Sequence, residues 1–374
     1  MPVRRSCLIF GLVAVALAAL GLVVLSSAGT ANGLRLKGDA YYFLKRQCVF
    51  LAVGLCVAAF FAWFDYRWWR DLPLLAILFY LGTFVLVCAV FLWPKVNGSH
   101  RWIPIGPVRL QPSELAKLAI VVALSVWMEK IRWRVESFRW GVLIPSAMIG
   151  VLAAPVLLAP DFGSVMVIAS VGGLVLWLAG AKFLHLLVPL CVGAAVFGVK
   201  LYFNGNRMGR LTSFGSEMSN TGADYQVYQA LVAIANGGVG GAGLGESMQK
   251  HLYLPEAHTD FVFAVGAEEL GLFFTITVIV LYALFFAYAV YFACRSKDRL
   301  GRYLAMGMGF IIFFQAMFNL GVVSRALPTK GMALPFFSYG GTNLLCAFFA
   351  VGTLLSVGIH SQPDRRRLKA RRRG

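Results

Sequence analysis

The sequence predicts an all-α integral membrane protein with about ten transmembrane helices and a large extracytoplasmic loop between spans seven and eight. Three observations carry this expectation. Hydrophobic residues make up 59% of the 374 positions and charged residues only 13%, and the mean hydropathy is +0.76, far from the composition of a soluble domain. The apolar residues gather in runs of about the 17 to 25 residues that a bilayer-crossing helix needs. Those runs are apolar on every face, whereas the strands of a membrane barrel alternate polar and apolar side chains, so a barrel is excluded.

The predicted spans are 6–27, 48–65, 72–93, 115–128, 141–159, 164–181, 183–203, 261–294, 304–324 and 343–360. The first follows Arg4 and Arg5 and outlasts the apolar core of a signal peptide, so it reads as an uncleaved span. The fourth is short, but a polar start at Pro112 restores its length. An even number of spans puts both termini on one side. With both inside, about 20 of the 34 Lys and Arg fall on the cytoplasmic side, as the positive-inside bias requires. Residues 1–360 form one polytopic domain, with an extracytoplasmic loop at about 204–260, and 361–374 form a basic cytoplasmic tail suited to anionic headgroups. The tail carries no aromatic residue for base stacking, so the +18 net charge does not point to nucleic acid. All seven cysteines lie in or beside apolar runs without a CxxC pair, as packing residues do.

Connections between spans are short except for the 204–260 loop, and ordered loops of that length usually carry function. Within it, Tyr225–Ala235 has the apolar spacing of a helix, with Gln226 and Gln229 on one face. The stretch Gly238-Val-Gly-Gly-Ala-Gly243 matches GxGxxG, but no βαβ unit surrounds it, and a close-packed or flexible turn is favoured over an anion cradle. The loop closes with Tyr253-Leu-Pro-Glu-Ala-His-Thr-Asp260, which places Glu256, His258 and Asp260 where the chain re-enters the membrane.

Three further segments concentrate polar chemistry on the outer side. In 97–117, Pro112 and Ser113 are suited to opening a helix, Glu114 and Lys117 share a face at i,i+3, and Arg101 beside Trp102 suits phosphate and headgroup contact. A lysine facing a bundle interior is costly unless paired or functional. In Ala159-Pro-Asp161-Phe-Gly-Ser164, Asp161 is expected first as a cap accepting the free N–H groups of the next helix, or as the partner that neutralises Lys117. In 325–342, two prolines and three glycines break helicity, which at membrane depth requires backbone that is buried or lines a cavity. Acids and bases so gathered suit a phosphorylated lipid: cations hold a diphosphate leaving group and one carboxylate deprotonates an attacking hydroxyl. Glu256, His258 and Asp260 also offer donors to a divalent cation, Mg or Mn, although their spacing matches no strong ligand signature.

Taken in order, Asn97-Gly-Ser-His-Arg-Trp-Ile103, Gln111-Pro-Ser-Glu-Leu-Ala-Lys117, Pro160-Asp-Phe-Gly-Ser164, Tyr225–Gln229, Gly243-Leu-Gly-Glu-Ser-Met-Gln-Lys250, Tyr253–Phe261, Glu268-Glu-Leu-Gly271 and Leu334-Pro-Phe-Phe-Ser-Tyr-Gly-Gly341 resemble the motifs of the SEDS family of bacterial shape, elongation, division and sporulation proteins. The Pro328-Thr-Lys-Gly331 string is similar to the division and sporulation branch of that family. Ser324-Arg325 and Thr342 depart from its usual residues. The resemblance implies a ten-helix peptidoglycan glycosyltransferase that polymerises lipid II at the outer face of the cytoplasmic membrane. Its implied partners are a class B penicillin-binding protein, an FtsI-like transpeptidase, and other divisome membrane proteins. It also implies that Asp260 is the catalytic base. Arg101, Trp102, Glu114, Lys117, Asp161, Gln229, Glu256, His258, Lys330 and Ser338 are the candidate substrate- and diphosphate-binding residues. A lipid II flippase using the same charges and a noncatalytic division scaffold are the alternatives; the position of most acidic residues in the outer half argues against transport.

Overall fold

The computed structural model describes residues 3–95, 99–106, 108–202, 222–250, 253–328 and 330–360. The basic tail at 361–374, the 203–221 part of the long loop and Asn97-Gly98 lie outside the described residues. In chain order the helices are α1 (Val3–Ala28), α2 (Thr30–Lys37), α3 (Tyr42–Trp63), α4 (Trp68–Asp71), α5 (Pro73–Ala89), α6 (Pro112–Lys130), α7 (Ile144–Leu158), α8 (Phe162–Ala179), α9 (Phe183–Tyr202), α10 (Gly222–Gly237), α11 (Val262–Arg295), α12 (Arg299–Val323) and α13 (Gly341–His360). A hairpin of β1 (Ile103–Ile105) and β2 (Val108–Leu110), antiparallel with Ile103 opposite Leu110, stands between α5 and α6. A π-helical turn at Phe138–Leu143 leads into α7.

Among the described residues nine helices are long and apolar enough to cross a membrane, and they coincide with nine of the predicted spans. The other predicted span, 115–128, lies within α6. This helix is buried along most of its length and carries Glu114, Lys117, Glu129 and Lys130, so it is the central post of the bundle, packed by α5, α7, α8, α12 and α13. Boundaries moved where polar residues had masked helix. The second span begins at Tyr42, not 48, because Gln47 is buried and its amide reaches the Ser338 carbonyl at 3.2 Å. The ninth begins at Arg299, not 304, because the Asp298 carboxylate caps it by accepting from the Gly301 N–H at 2.9 Å.

The core forms where small residues let helices approach. Gly54 on α3 meets the Phe348 ring and Gly352 on α13 meets the Ala58 backbone, which draws α3 and α13 together. Segment 331–340 is irregular, and its backbone is buried as the glycines and prolines required: Leu334, Phe336 and Phe337 are enclosed, and Gly21 of α1 packs on the Phe336–Phe337 backbone. At the opposite end, Asp298 accepts from the Tyr66 hydroxyl at 2.8 Å and from Arg67 at 3.3 Å, while Arg67 also donates to the His360 carbonyl at 2.9 Å. One acid thereby gathers the ends of α3, α12 and α13.

The glycine-rich stretch proves to be a packed turn. The 34 residues of α11 would extend ~51 Å as one straight helix, and the helix is broken at Gly271 (φ 68°, ψ −158°), a region essentially closed to other residues. A break inside apolar surroundings leaves backbone groups that must find partners within the protein. The glycine stretch supplies them: Ala242 N–H donates to the Glu268 carbonyl and Gly243 N–H to the Glu269 carbonyl, both at 2.9 Å, and Leu272 N–H donates to the Gly238 carbonyl at 3.0 Å. A Cβ on Gly271 would lie 2.6 Å from the Val239 carbonyl oxygen. Gly271→Ala is therefore expected to cost ~1–3 kcal/mol, measured as a lower melting temperature in detergent; a melting temperature equal to the parent's would show that the break tolerates a side chain.

Candidate functional site

The site assembles at the end of the bundle where the hairpin, the loop before α8, the loop before α11 and segment 330–342 converge. Asp260 stands one residue before the N-cap of α11 and is half-buried. Its backbone is fixed from α12: the Asn319 side-chain amide donates to the Asp260 carbonyl at 2.8 Å and to the Met332 carbonyl at 2.6 Å. The same loop is held from segment 330–342, where the Ser338 hydroxyl donates to the Thr259 carbonyl at 2.6 Å while accepting from the Leu334 N–H at 2.7 Å. Tyr339 N–H donates to the His258 carbonyl at 3.0 Å. These bonds set the Asp260 carboxylate against Gly331, where any Cβ would collide with it. A side chain at Gly331 would push that carboxylate out of its place.

Asp161 is the second acid. The expectation that it caps α8 is overturned: its carboxylate takes no backbone N–H of the helix but accepts from the Ser164 hydroxyl at 2.7 Å, the Ser113 hydroxyl at 3.0 Å and the Gln111 amide at 3.4 Å. Hydroxyls from the first turns of two helices reach it more directly than the amides of its own. Nor does it neutralise Lys117, whose ammonium pairs with Glu114 at 2.6 Å, both side chains buried in α6. The i,i+3 spacing already placed that partner on the same face.

Two cations complete the set. Arg101 donates to the Pro160 carbonyl at 2.8 Å, and its buried Nε has no hydrogen-bond partner. The Lys330 ammonium lies over the Phe162 ring, 5.2 Å from its centroid, and packs on Gly163. Burial pushes the Asp260 carboxyl up to about 6; the Glu256 and Asp161 charges add to the rise and Arg101 opposes it. Burial also acts to raise Asp161, but Arg101, the Ser164 hydroxyl, Lys330 and the Ser113 hydroxyl outweigh it and hold that carboxyl below its ordinary range. The site thus keeps two acids of unlike proton affinity under the field of one shared arginine. Arg101, Asp161, Ser113 and His100 line a narrow cleft open to the outside.

The remaining candidates distribute as follows. Ser338 is buried and holds the Asp260 loop. Glu256 is exposed, with a positive φ of 57°, and accepts from the Thr259 hydroxyl at 2.8 Å. His258 turns toward Asn32 of α2 (Nδ1 to Nδ2 3.2 Å) and stacks on Phe43; burial lowers its pKa against the pull of Glu256. Trp102 and Gln229 are half-buried, Gln229 on α10, which covers the predicted 225–235 helix. Glu256, His258 and Asp260 therefore do not converge, and among the described residues no three His, Cys, Asp or Glu side chains gather as a metal site would need. Asn319, Ser164 and Gln111 were missed by the sequence reading. An asparagine inside the apolar 304–324 run was the available signal, since a polar side chain in a span needs a partner.

The sequence profile of the FtsW, RodA and SpoVE family of cell cycle proteins matches residues 7–363. The chain belongs to this family. Similar family members include the probable peptidoglycan glycosyltransferase FtsW of Nitrosococcus halophilus, 41% identical, with the match covering 93% of this chain and 91% of the relative. That of Geobacter metallireducens is 37% identical, with 95% of each chain covered. Among solved structures, the fold resembles a chain described in the structural coordination of polymerization and crosslinking by a peptidoglycan synthase complex (TM-score 0.76, 27% identity, covering 95% of this chain and 98% of that one). It also resembles the rod shape determining protein RodA of Thermus thermophilus (TM-score 0.68, 26% identity, 95% and 97% covered).

The shared arginine makes opposite predictions for two variants. Arg101→Met removes the charge that lowers Asp260 and is expected to move its titration to higher pH. Asp161→Asn removes a charge that raises it and is expected to move the titration lower. Infrared difference titration of the protonated carboxyl, assigned by its loss in Asp260→Asn, reads both, and shifts of the same sign would refute the arrangement.

Proposed function

We propose that this protein is the peptidoglycan glycosyltransferase that polymerises lipid II into glycan strands for septal wall synthesis, with Asp260 as its general base. The placement of Asp260 carries this reading: a half-buried carboxyl, fixed through its own backbone and pushed up to about 6 by burial, lies in the field of Arg101 and Asp161, which themselves line a cleft. Family membership supplies the reaction. In the step, the acceptor's 4-hydroxyl oxygen forms a bond to the donor's anomeric carbon, and its proton passes to the Asp260 carboxylate. The bond from that carbon to the diphosphate breaks with inversion, and undecaprenyl diphosphate leaves with the electron pair. A base whose pKa lies near working pH combines a large ionised fraction with useful proton affinity.

Arg101 and Lys330 are the cations we assign to the diphosphate; both act on the acids of this site. Fixed positive charge aimed at a leaving group costs no reorganisation when negative charge develops. The buried Nε of Arg101 has no partner, so a phosphate that displaced its cover would meet an unsatisfied donor. The Glu114–Lys117 pair lies beneath, where each partner already neutralises the other, and it supports the site from within α6.

On this reading α6 is the tenth span, both termini are cytoplasmic and the site faces outward across the inner membrane. Residues 1–360 act as one domain and the tail lies against the inner leaflet. The likeness to a chain of a peptidoglycan synthase complex supports a class B penicillin-binding protein as partner, with further divisome proteins around the pair.

The test is polymerisation of lipid II by the purified protein bound to its transpeptidase, with the transpeptidase active site blocked. Asp260→Asn is expected to reduce kcat by ~10² to 10⁴-fold, and full activity in that variant would remove Asp260 from the chemistry. Absence of polymer from the native complex, folded and assembled, would favour transport or scaffolding. The carboxylate is the active form, so kcat/KM is expected to rise about tenfold per pH unit below the Asp260 pKa of about 6 and to level above it. A flat profile across that range would contradict the assignment.

A further inference from the structure

A second buried polar cluster lies away from the site. The Lys250 ammonium sits 3.3 Å from the Glu269 carboxylate and 2.9 Å from the Ser27 hydroxyl, and it also donates to the Gly245 carbonyl. Ser27 donates to Glu269, the Ser247 hydroxyl donates to Glu268, and the Ser247 N–H reaches Glu269 at 3.4 Å. The side chains of Lys250 and Glu269 are 6% and 0% exposed. A buried ion pair is weak as a source of stability, because desolvation offsets the attraction, so its value is better sought in the conformation it specifies.

The topology says what it specifies. Lys250 precedes Asp260 by ten residues and Glu269 follows it by nine, so their pairing closes the chain into a ring with Asp260 near its middle. The ring is anchored twice to the junction of α1 and α2. Ser27, near the end of α1, holds Lys250, and Asn32 on α2 holds His258. At the start of the ring, Leu254 N–H donates to the carbonyl of Gln249, just before the ring, at 3.0 Å, and Leu254 and Ala257 are buried. Glu269 also lies at the helix break, where its carbonyl accepts from Gly243.

We infer that Lys250, acting through Glu269 and Ser27, is a positioning residue for Asp260: it closes the 250–269 ring against the α1–α2 junction and so fixes the loop that carries the base. This rests on the assignment of Asp260 given above. Asn319 fixes that loop from one side and the ring closure from the other. The base sits where both constraints are satisfied.

The test compares Lys250→Met, Glu269→Gln and Ser27→Ala with the parent in the lipid II polymerisation assay, as complexes with the transpeptidase. A misplaced base loses rate without losing substrate affinity. In Lys250→Met and Glu269→Gln, kcat is expected to fall on the order of 10- to 100-fold with KM unchanged, and the acid limb of kcat/KM to move to lower pH as the loop opens to water. Ser27→Ala deletes one uncharged group, and a smaller change in the same direction is expected. It decides the matter should the charge variants fail to fold. Parental kcat and acid limb in the folded variants would overturn the inference, as would a raised KM with parental kcat. Asp260→Asn in the same assay separates the two claims: an active Asp260→Asn defeats the base assignment, whereas an inactive one beside unaffected Lys250→Met and Ser27→Ala defeats only the ring.

Discussion

The amide of Asn319 joins two irregular pieces of backbone that no helix ladder can satisfy. Its one nitrogen donates to the carbonyls of Asp260 and Met332, and around that pair of bonds the rest of the site takes its positions. In apolar surroundings an unmatched carbonyl costs several kcal/mol, so a segment such as 331–340 can exist only if the protein supplies every donor it needs. Asn319, Tyr282 and Gln47 donate into it from three helices, Tyr282 to the Pro335 carbonyl and Gln47 to that of Ser338, while the Ser338 hydroxyl accepts from the Leu334 N–H. The same bonds that make the irregular segment tolerable press Gly331 against the Asp260 carboxylate.

The bundle solves the same problem twice. At the Gly271 break the missing helical partners are replaced by N–H groups of the 238–243 turn, and at segment 331–340 they are replaced by side chains. The difference follows from composition. Successive glycines let two backbones meet directly, while at the Pro335–Phe337 stretch, with Phe336 at a φ of 70°, side chains of neighbouring helices reach the carbonyls of Pro335 and Ser338.

Much of this was legible in the sequence. Apolar runs gave the spans because burial in lipid requires long uninterrupted hydrophobicity, and the i,i+3 spacing of Glu114 and Lys117 gave their pairing because helix geometry is local. Asp161 was misjudged because, besides the nearby Ser164, its partners Ser113 and Gln111 come from a segment some fifty residues away, and no local pattern announces them. The short α2, which supplies Asn32, and the 103–110 hairpin escaped notice because neither carries a long period. The role of the GxGxxG match could be excluded on fold grounds, yet what it binds, the carbonyls of Glu268 and Glu269, depends on a break that a 34-residue apolar run conceals.

α9 is attached differently from the other long helices: among the described residues its main contacts are with the π-helical turn before α7 and the neighbouring α8, and Leu184, Leu190, Val192 and Val199 are among the side chains it leaves exposed. Lipid tails solvate such a surface as well as another helix would, so packing does not fix its inclination. Twenty residues span ~30 Å, about the thickness of the hydrocarbon layer. The tilt of this wall is therefore set by the match between its length and the membrane, and a thinner or thicker bilayer changes the shape of the protein's flank before it changes anything in the core.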